Sequence, residues 1–140
     1  MSGVRRVVFD TSTLVGAVLR EGSIPDQALA KALGSCELCG SLATLDELAT
    51  VLDRNKFDAY MNRASRRAFV ELMRRHIRLI AVDSEGHESL EPACRDPRDN
   101  KFLALALAAE AEVIVSSDDD LLVLHPWRRV SIVSPRDFIA

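Results

Sequence analysis

The sequence lacks long hydrophobic runs, cysteine-rich segments and a large set of aromatic residues. Its longest unbroken apolar stretch is 102–109, far shorter than the roughly 20 residues of a membrane-spanning helix. The three cysteines form no disulfide framework, and the CxxC pair at 36–39 has no second pair to complete a typical zinc site. Aromatic residues make up 5% of the chain, which argues against an extended surface for stacking bases. We therefore expect a cytoplasmic protein with no membrane partner.

The sequence does contain enough apolar residues for one hydrophobic core. Of its 140 residues, 48% are apolar and 28% are charged, with a formal net charge of -3. A chain of this length is typical of one domain. Because aromatics are few, Leu, Val, Ile and Ala must fill the core. We expect a single domain over 1–140.

The small net charge hides two segments of opposite sign. Between 54 and 78 there are eight cationic side chains against two acids, and between 83 and 120 there are eleven acids against three cations. Such asymmetry is typical of an acidic site beside a basic rim. It is equally compatible with solvated helix faces, and the sequence leaves both interpretations open.

Hydrophobic periodicity predicts strands alternating with helices. The predicted strands are 4–9, 36–39, 77–82, 113–115 and 130–133, and the predicted helices begin at 11 or 12, 26, 41, 65, 99 and 118. Gly34 is expected to stop the second helix, and 84–98 to form a loop or irregular turn. This alternation favours an α/β fold with three layers, α/β/α, around a central parallel sheet.

Acidic residues stand where this fold places ligand sites. Asp10 directly follows the first strand, Asp118 follows a later strand by two residues, and Asp99 opens a buried helix. Ligand sites of open parallel sheets lie beyond the carboxyl ends of the strands. Carboxylates brought close together repel one another unless a cation neutralises them, and Mg²⁺ or Mn²⁺ suits oxygen ligands.

Each acid also has a purely structural interpretation. Asp10 is a good helix cap, Asp99 favours its helix dipole, and Asp118 can cap a turn. Glu47 lies opposite the leucine stripe of its helix, so periodicity alone predicts a solvated side chain.

Five segments, in this order and spacing, resemble one known family. They are 7–12 (VVFDTS), 41–57 (S at 41, EL at 47, VL at 51, then R, K and F at 54, 56 and 57), 96–103 (DPRDNKFL), 113–122 (VIVSSDDDLL) and 133–138 (VSPRDF). Together they resemble the PIN domain family, in particular single-domain prokaryotic PIN proteins related to the toxin ribonucleases of toxin–antitoxin systems. The resemblance covers nearly the whole chain and implies a PIN-like fold.

The resemblance implies a metal-dependent endoribonuclease site. It gives catalytic and metal-binding roles to Asp10, Glu47, Asp99 and Asp118, with Asp120 as a further metal ligand. Polar support for these acids would come from Ser12, Asp96 and Ser116. The implied cofactor is Mg²⁺ or Mn²⁺, and the implied reaction hydrolyses RNA to 5′-phosphate and 3′-hydroxyl ends. Glu47 and Asp118 both stay open as the general base.

The resemblance also implies partners, namely an RNA substrate, an antitoxin protein and a second copy of the chain in a homodimer. An acidic cleft repels a polyanion, so cations must hold the phosphate backbone. The arginine-rich segment 63–78 is the candidate, and the predicted RNA contacts are Arg66, Arg67, Arg74 and Arg75.

Two alternative functions stay open at this stage. A PIN scaffold that binds RNA or a protein without cutting would show no metal-dependent cleavage. The segment 9–13 (FDTST) is weakly similar to the start of haloacid-dehalogenase-type phosphatases, but Ser12 stands where that family has its second aspartate.

Overall fold

The computed structural model describes residues 4–83 and 90–140, and within them strands and helices alternate as expected. The elements are β1 (Arg5–Phe9), α1 (Thr11–Leu19), α2 (Ile24–Ser35), β2 (Cys36–Gly40), α3 (Leu42–Leu52), α4 (Arg63–His76), β3 (Arg78–Leu79), α5 (Asn100–Ala109), β4 (Val113–Val115), α6 (Asp119–Leu122), β5 (Ser131–Val133) and α7 (Pro135–Ile139). Short 3₁₀ turns cover Asn55–Phe57 and Pro97–Asp99.

The described strands form one parallel sheet in the order β3-β2-β1-β4-β5. β1 lies in the middle, paired with β2 on one side and with β4 on the other. Parallel strands need crossover connections, which the helices supply. The predicted fold class, a three-layer α/β/α fold with a central parallel sheet, is confirmed.

The two faces of the sheet carry separate hydrophobic cores, because successive strand residues point to opposite faces. Val8 and Ile114 face the layer that contains α5 and the buried Trp127. Val7 and Val113 face the opposite layer, which contains α1 to α4 and α7. Both faces of the central strands are therefore covered, as is usual for parallel sheets.

Helix α2 is longer than predicted at both ends. The Ser23 hydroxyl accepts the N–H of Asp26 at 3.3 Å, so the helix begins at Ile24 with Pro25 in its first turn. Gly34 does not stop the helix but lies in its last turn. A serine cap followed by proline in the first turn is a favourable start for a helix.

The sheet edges and loops differ most from the sequence prediction. β3 is limited to two residues that pair with Cys39 and Gly40, and α7, capped by Ser134, was not predicted. Of the predicted loop 84–98, residues 84–89 lie outside the described residues; the rest ends in a 3₁₀ turn. None of the helices described is both long and apolar enough to cross a bilayer.

Candidate active site

The neighbouring strands β1 and β4 are parallel, so their carboxyl ends lie together at one edge of the sheet. Asp10 directly follows β1, and its N–H donates to the Val115 carbonyl at 3.1 Å. After β1 the chain adds β2 and β3 on one side and places β4 on the other. This edge is therefore the point where strand order reverses, the usual place for a ligand site in an open parallel sheet.

Asp10 is a buried acid held by several donors. It is 2% exposed and accepts the Thr13 N–H at 3.0 Å, the Ser116 hydroxyl at 2.5 Å and the Ser12 hydroxyl at 3.4 Å. Burial raises the pKa of Asp10, and the hydrogen bonds from Ser116 and Thr13 partly offset the rise. Asp10 thus caps α1 and also directs a fixed carboxylate toward the sheet edge.

Asp99 lies beside Asp118, the acid that follows strand β4. The pKa of Asp99 is raised to about 7, and burial is the largest cause. The remainder of the rise comes from a hydrogen bond with the Asp118 side chain and from the negative charges of Asp118, Asp96 and Asp10. These acids lie close enough to Asp99 to disfavour its ionised form.

Three carboxylates are spaced closely enough to hold one ion. Asp96, Asp99 and Asp120 each offer an oxygen, and these oxygens lie within 4.8 Å of one another. Arg98 lies 2.9 Å from Asp96 and lowers the pKa of that carboxyl, while Arg95 lies 3.0 Å from Asp120. An all-oxygen donor set of this kind fits a hard divalent cation such as Mg²⁺ or Mn²⁺.

Glu47 reaches the same cleft from α3. Its neighbours Leu45 and Leu48 are buried, but the Glu47 carboxylate forms an ion pair with Lys101 of α5. The interpretation of Glu47 as a solvated side chain was wrong, because the polar face of α3 lies opposite the start of α5. Periodicity describes the packing of one helix and carries no information on a distant element facing it.

The four predicted catalytic acids line one cleft of about 650 Å³. Asp46 and Asp96 line it as well, together with the cations Arg54, Lys56 and Arg98 and the apolar Val15, Val51, Phe57 and Phe102. Sequence reasoning did not assign these three cations, nor Lys101, to the site. The sequence did contain a signal for these cations, because Arg98 and Lys101 are close to Asp99 in sequence, and Arg54 and Lys56 closely follow the end of α3.

The predicted RNA contacts lie outside this cleft. Arg66 is fully buried; one guanidinium nitrogen donates to the Arg54 carbonyl at 3.0 Å, and another pairs with Asp58. Its prediction as an RNA contact was wrong, because Arg66 continues the buried stripe of Val70 and Met73 one turn earlier.

The other three predicted RNA contacts, also on α4, are at the surface. Arg67 lies 3.1 Å from Asp53, Arg74 lies 3.4 Å from Glu71, and Arg75 is exposed. Arg67 and Arg74 line a groove between α3 and α4. Their roles in RNA binding stay a prediction.

Several solved structures share the fold at low sequence identity. VapBC2 from Rickettsia felis, bound to a promoter DNA fragment, matches with a TM-score of 0.67 and 12% identity, over 91% of this chain and 96% of that chain. PAE2754 from Pyrobaculum aerophilum matches with a TM-score of 0.65 and 14% identity, over 97% of this chain and 88% of that chain. VapC20 from Mycobacterium tuberculosis is a toxin that cleaves the sarcin–ricin loop. It matches with a TM-score of 0.59 and 15% identity, over 89% of this chain and 98% of that chain.

The sequence itself matches a protein family. No curated protein sequence matches the chain significantly. The family profile of the PIN domain, however, matches residues 6–120. This range contains the strand ends that carry Asp10 and Asp118, as well as Glu47 and Asp99. The resemblance seen in the sequence motifs is thereby confirmed, and the chain belongs to the PIN domain family.

Proposed function

We propose that this PIN domain is a metal-dependent endoribonuclease and the toxin of a toxin–antitoxin pair. The observation that carries the proposal is that Asp10, Glu47, Asp99 and Asp118 line one cleft, where Asp99 also lies within 4.8 Å of the Asp96 and Asp120 carboxylates. Carboxylates that repel one another at the edge of a sheet favour the binding of a divalent cation.

The residues that would hold the metal are Asp10, Glu47, Asp99, Asp118 and Asp120, and Asp96, whose oxygen lies within 4.8 Å of those of Asp99 and Asp120, would join them. When bound, Mg²⁺ or Mn²⁺ supplies a water of lowered pKa and neutralises charge on the scissile phosphate. Ser116 and Thr13 hold the Asp10 carboxylate in place. Asp118 donates its N–H to Ser116 at 2.9 Å, so the two acids share one support.

The cations of the cleft would bind the RNA backbone. Arg54 and Lys56 line it on the α3 side, and Arg98 lines it beside Asp96 and Asp99. Cations on both sides of the acids offset the repulsion between the carboxylates and a polyanion. We propose that these three side chains contact phosphates flanking the scissile bond, with Arg67, Arg74 and Arg75 as a more distant surface.

Cleavage of RNA by the purified protein tests this function. The substrate is a mixed RNA pool with Mg²⁺ or Mn²⁺, and the controls contain EDTA or a DNA pool of the same lengths. We expect cleavage of RNA that EDTA abolishes and that Asp10→Asn and Asp99→Asn reduce by at least about 100-fold. Asp137→Asn, an exposed acid on α7 outside the cleft, is the matched control. No cleavage by folded protein would favour a PIN scaffold that binds without cutting.

We also propose an antitoxin partner and a homodimer. The structural neighbours include VapBC-1 from nontypeable Haemophilus influenzae, at a TM-score of 0.58 and 16% identity over 94% of this chain and 98% of that chain. Induced expression should stop bacterial growth, and Asp10→Asn should remove the effect. The protein encoded beside the gene should restore growth when expressed with it. Light scattering should give twice the mass of the chain.

A further inference from the structure

Glu47 is held differently from the other acids of the cleft. Asp10 is fixed by the Thr13 N–H at 3.0 Å and by Ser116, and Asp118 accepts the Asp120 N–H at 2.9 Å. These are short side chains tied to nearby backbone. Glu47 is one methylene longer, and its ion pair is with Lys101, 54 residues away on another helix.

Lys101 is itself anchored on the α5 side of the cleft. Its ammonium donates to the Arg98 carbonyl and lies 5.6 Å from the centre of the Phe102 ring. The Lys101 and Glu47 side chains are 20% and 28% exposed, so much of the pair is out of bulk water. Partial burial strengthens an ion pair, because the effective dielectric constant is lower there.

We infer that Lys101 is a positioning residue that holds the Glu47 carboxylate in the cleft. The inference rests on the proposed function, because it concerns the orientation of one acid of the proposed metal site. A glutamate has several rotatable bonds, and without a partner its carboxylate spreads over many rotamers. The anchored ammonium selects the rotamers that direct Glu47 toward Asp99 and Asp118.

Two other roles for Lys101 lead to different expectations. A lysine that contacts RNA directly acts without Glu47, so its loss raises the KM and adds to the loss of Glu47. A lysine that competes with the metal weakens metal binding, so its removal tightens binding of the ion. A positioning residue has no effect once Glu47 has been changed.

A double-mutant cycle separates these roles. The proteins are wild type, Lys101→Met, Glu47→Gln and the double variant. The readouts are the Kd for Mn²⁺ alone, from electron paramagnetic resonance of the free ion, and kcat and KM for RNA. Lys31→Met is the matched control, since Lys31 also donates to a carbonyl and lies over a phenylalanine ring, but at α7.

We expect Lys101→Met to weaken Mn²⁺ binding about three- to tenfold. In the RNA assay kcat should fall about tenfold, with less than about a twofold change in KM. The double variant should match Glu47→Gln within about twofold, Lys101→Arg should recover much of the loss, and Lys31→Met should leave the Mn²⁺ Kd unchanged. Thermal melting checks the fold of each variant, and Lys101→Gln replaces Lys101→Met if the latter does not fold.

Several outcomes would overturn the inference. They are tighter or unchanged Mn²⁺ binding in Lys101→Met, additive effects in the double variant, or a loss confined to KM. A wild-type protein that binds Mn²⁺, shows the expected cycle and cuts no RNA leaves the role of Lys101 intact and removes the proposed nuclease function. Absence of Mn²⁺ binding by the wild type overturns both.

Discussion

The hydroxyl of Ser116 donates to the Oδ2 atom of Asp10 at 2.5 Å and so joins the ends of two neighbouring strands. The Ser116 hydroxyl oxygen also accepts the N–H of Asp118 at 2.9 Å. Ser116 is fully buried, as is nearly all of Asp10. One hydroxyl therefore helps to place two of the four acids of the cleft.

Replacing this hydroxyl should reduce both stability and activity. Ser116→Ala leaves a buried carboxylate oxygen and the Asp118 N–H without this partner. We expect the free energy of unfolding to fall by about 1–3 kcal/mol and cleavage to fall about 10- to 100-fold, as for other groups that support metal ligands. Urea unfolding and single-turnover cleavage measure the two effects.

Two further variants make the Ser116 result specific. Ser116→Thr keeps the hydroxyl and should keep most of the activity. Ser35→Ala removes an exposed hydroxyl that bonds to the Lys31 carbonyl at 2.7 Å and should leave cleavage unchanged. Full activity in Ser116→Ala would show that the Ser116 hydroxyl is not needed to place the acids.

The stability of the metal-free protein should decrease as the pH rises from 5 to 8. The pKa of Asp99 is about 7 in the fold against an ordinary 3.8, so between these values the folded state binds more protons than the unfolded chain. Stability then falls with pH. Asp96 and Asp53 have pKa values below the ordinary range, so their effect lies at lower pH. The Tm measured across this range in EDTA checks the sign.

Metal and a single substitution should each flatten this pH profile. Mg²⁺ or Mn²⁺ removes the repulsion among the carboxylates, so the Tm should rise most at pH 8. Asp99→Asn removes the ionising group and should raise the metal-free Tm at pH 8 while abolishing cleavage. The two proteins differ only at residue 99, so the difference between the two profiles isolates Asp99. Identical profiles would mean that Asp99 is not crowded in solution.

The arrangement of the sheet could be predicted from the sequence because it depends on local patterns. Apolar runs such as 113–115, followed by polar residues, fix where strands end, and the alternation with helices requires a parallel sheet. The carboxyl ends of the strands then place Asp10 and Asp118 together. β3 was predicted too long, because its pairing depends on how far β2 extends beside it, which its own residues do not encode.

Contacts between distant elements were not predictable in the same way. The contact of Glu47 with Lys101 depends on how α3 packs beside α5, and the helical pattern of α3 alone favoured solvent for Glu47. Arg66 occupies a core position and was assigned to the surface because of its charge. A buried arginine requires an acceptor, and here Asp58 and the Arg54 carbonyl provide it.

Arg66 should therefore contribute to folding and not to RNA binding. Arg66→Met keeps the apolar length and removes the guanidinium, so Asp58 loses this partner and the Arg54 carbonyl keeps the Phe57 N–H at 3.1 Å as its donor. We expect the free energy of unfolding to fall by about 2 kcal/mol, with an unchanged RNA KM in the protein that remains folded. Arg75→Met, an exposed position on the same helix, should cost less than about 0.5 kcal/mol. A raised KM without loss of stability in Arg66→Met would instead support Arg66 as an RNA contact.

The cations of the cleft should control the salt dependence of RNA binding. Arg54→Ala and Lys56→Ala each remove a charge beside the acids, and each phosphate contact releases about 0.7 of a counterion from single-stranded RNA. The slope of log Kd against log salt should thus fall by about 0.7 per variant, and KM should rise at constant kcat. Binding is measured with the uncleaved RNA in EDTA. Arg129→Ala, a cation beside α5 near Glu110 and Glu112 and not on the cleft, should leave the slope unchanged. An equal change in all three variants would mean that RNA responds to net charge alone, and the cleft would then lose its role as the site of phosphate contact.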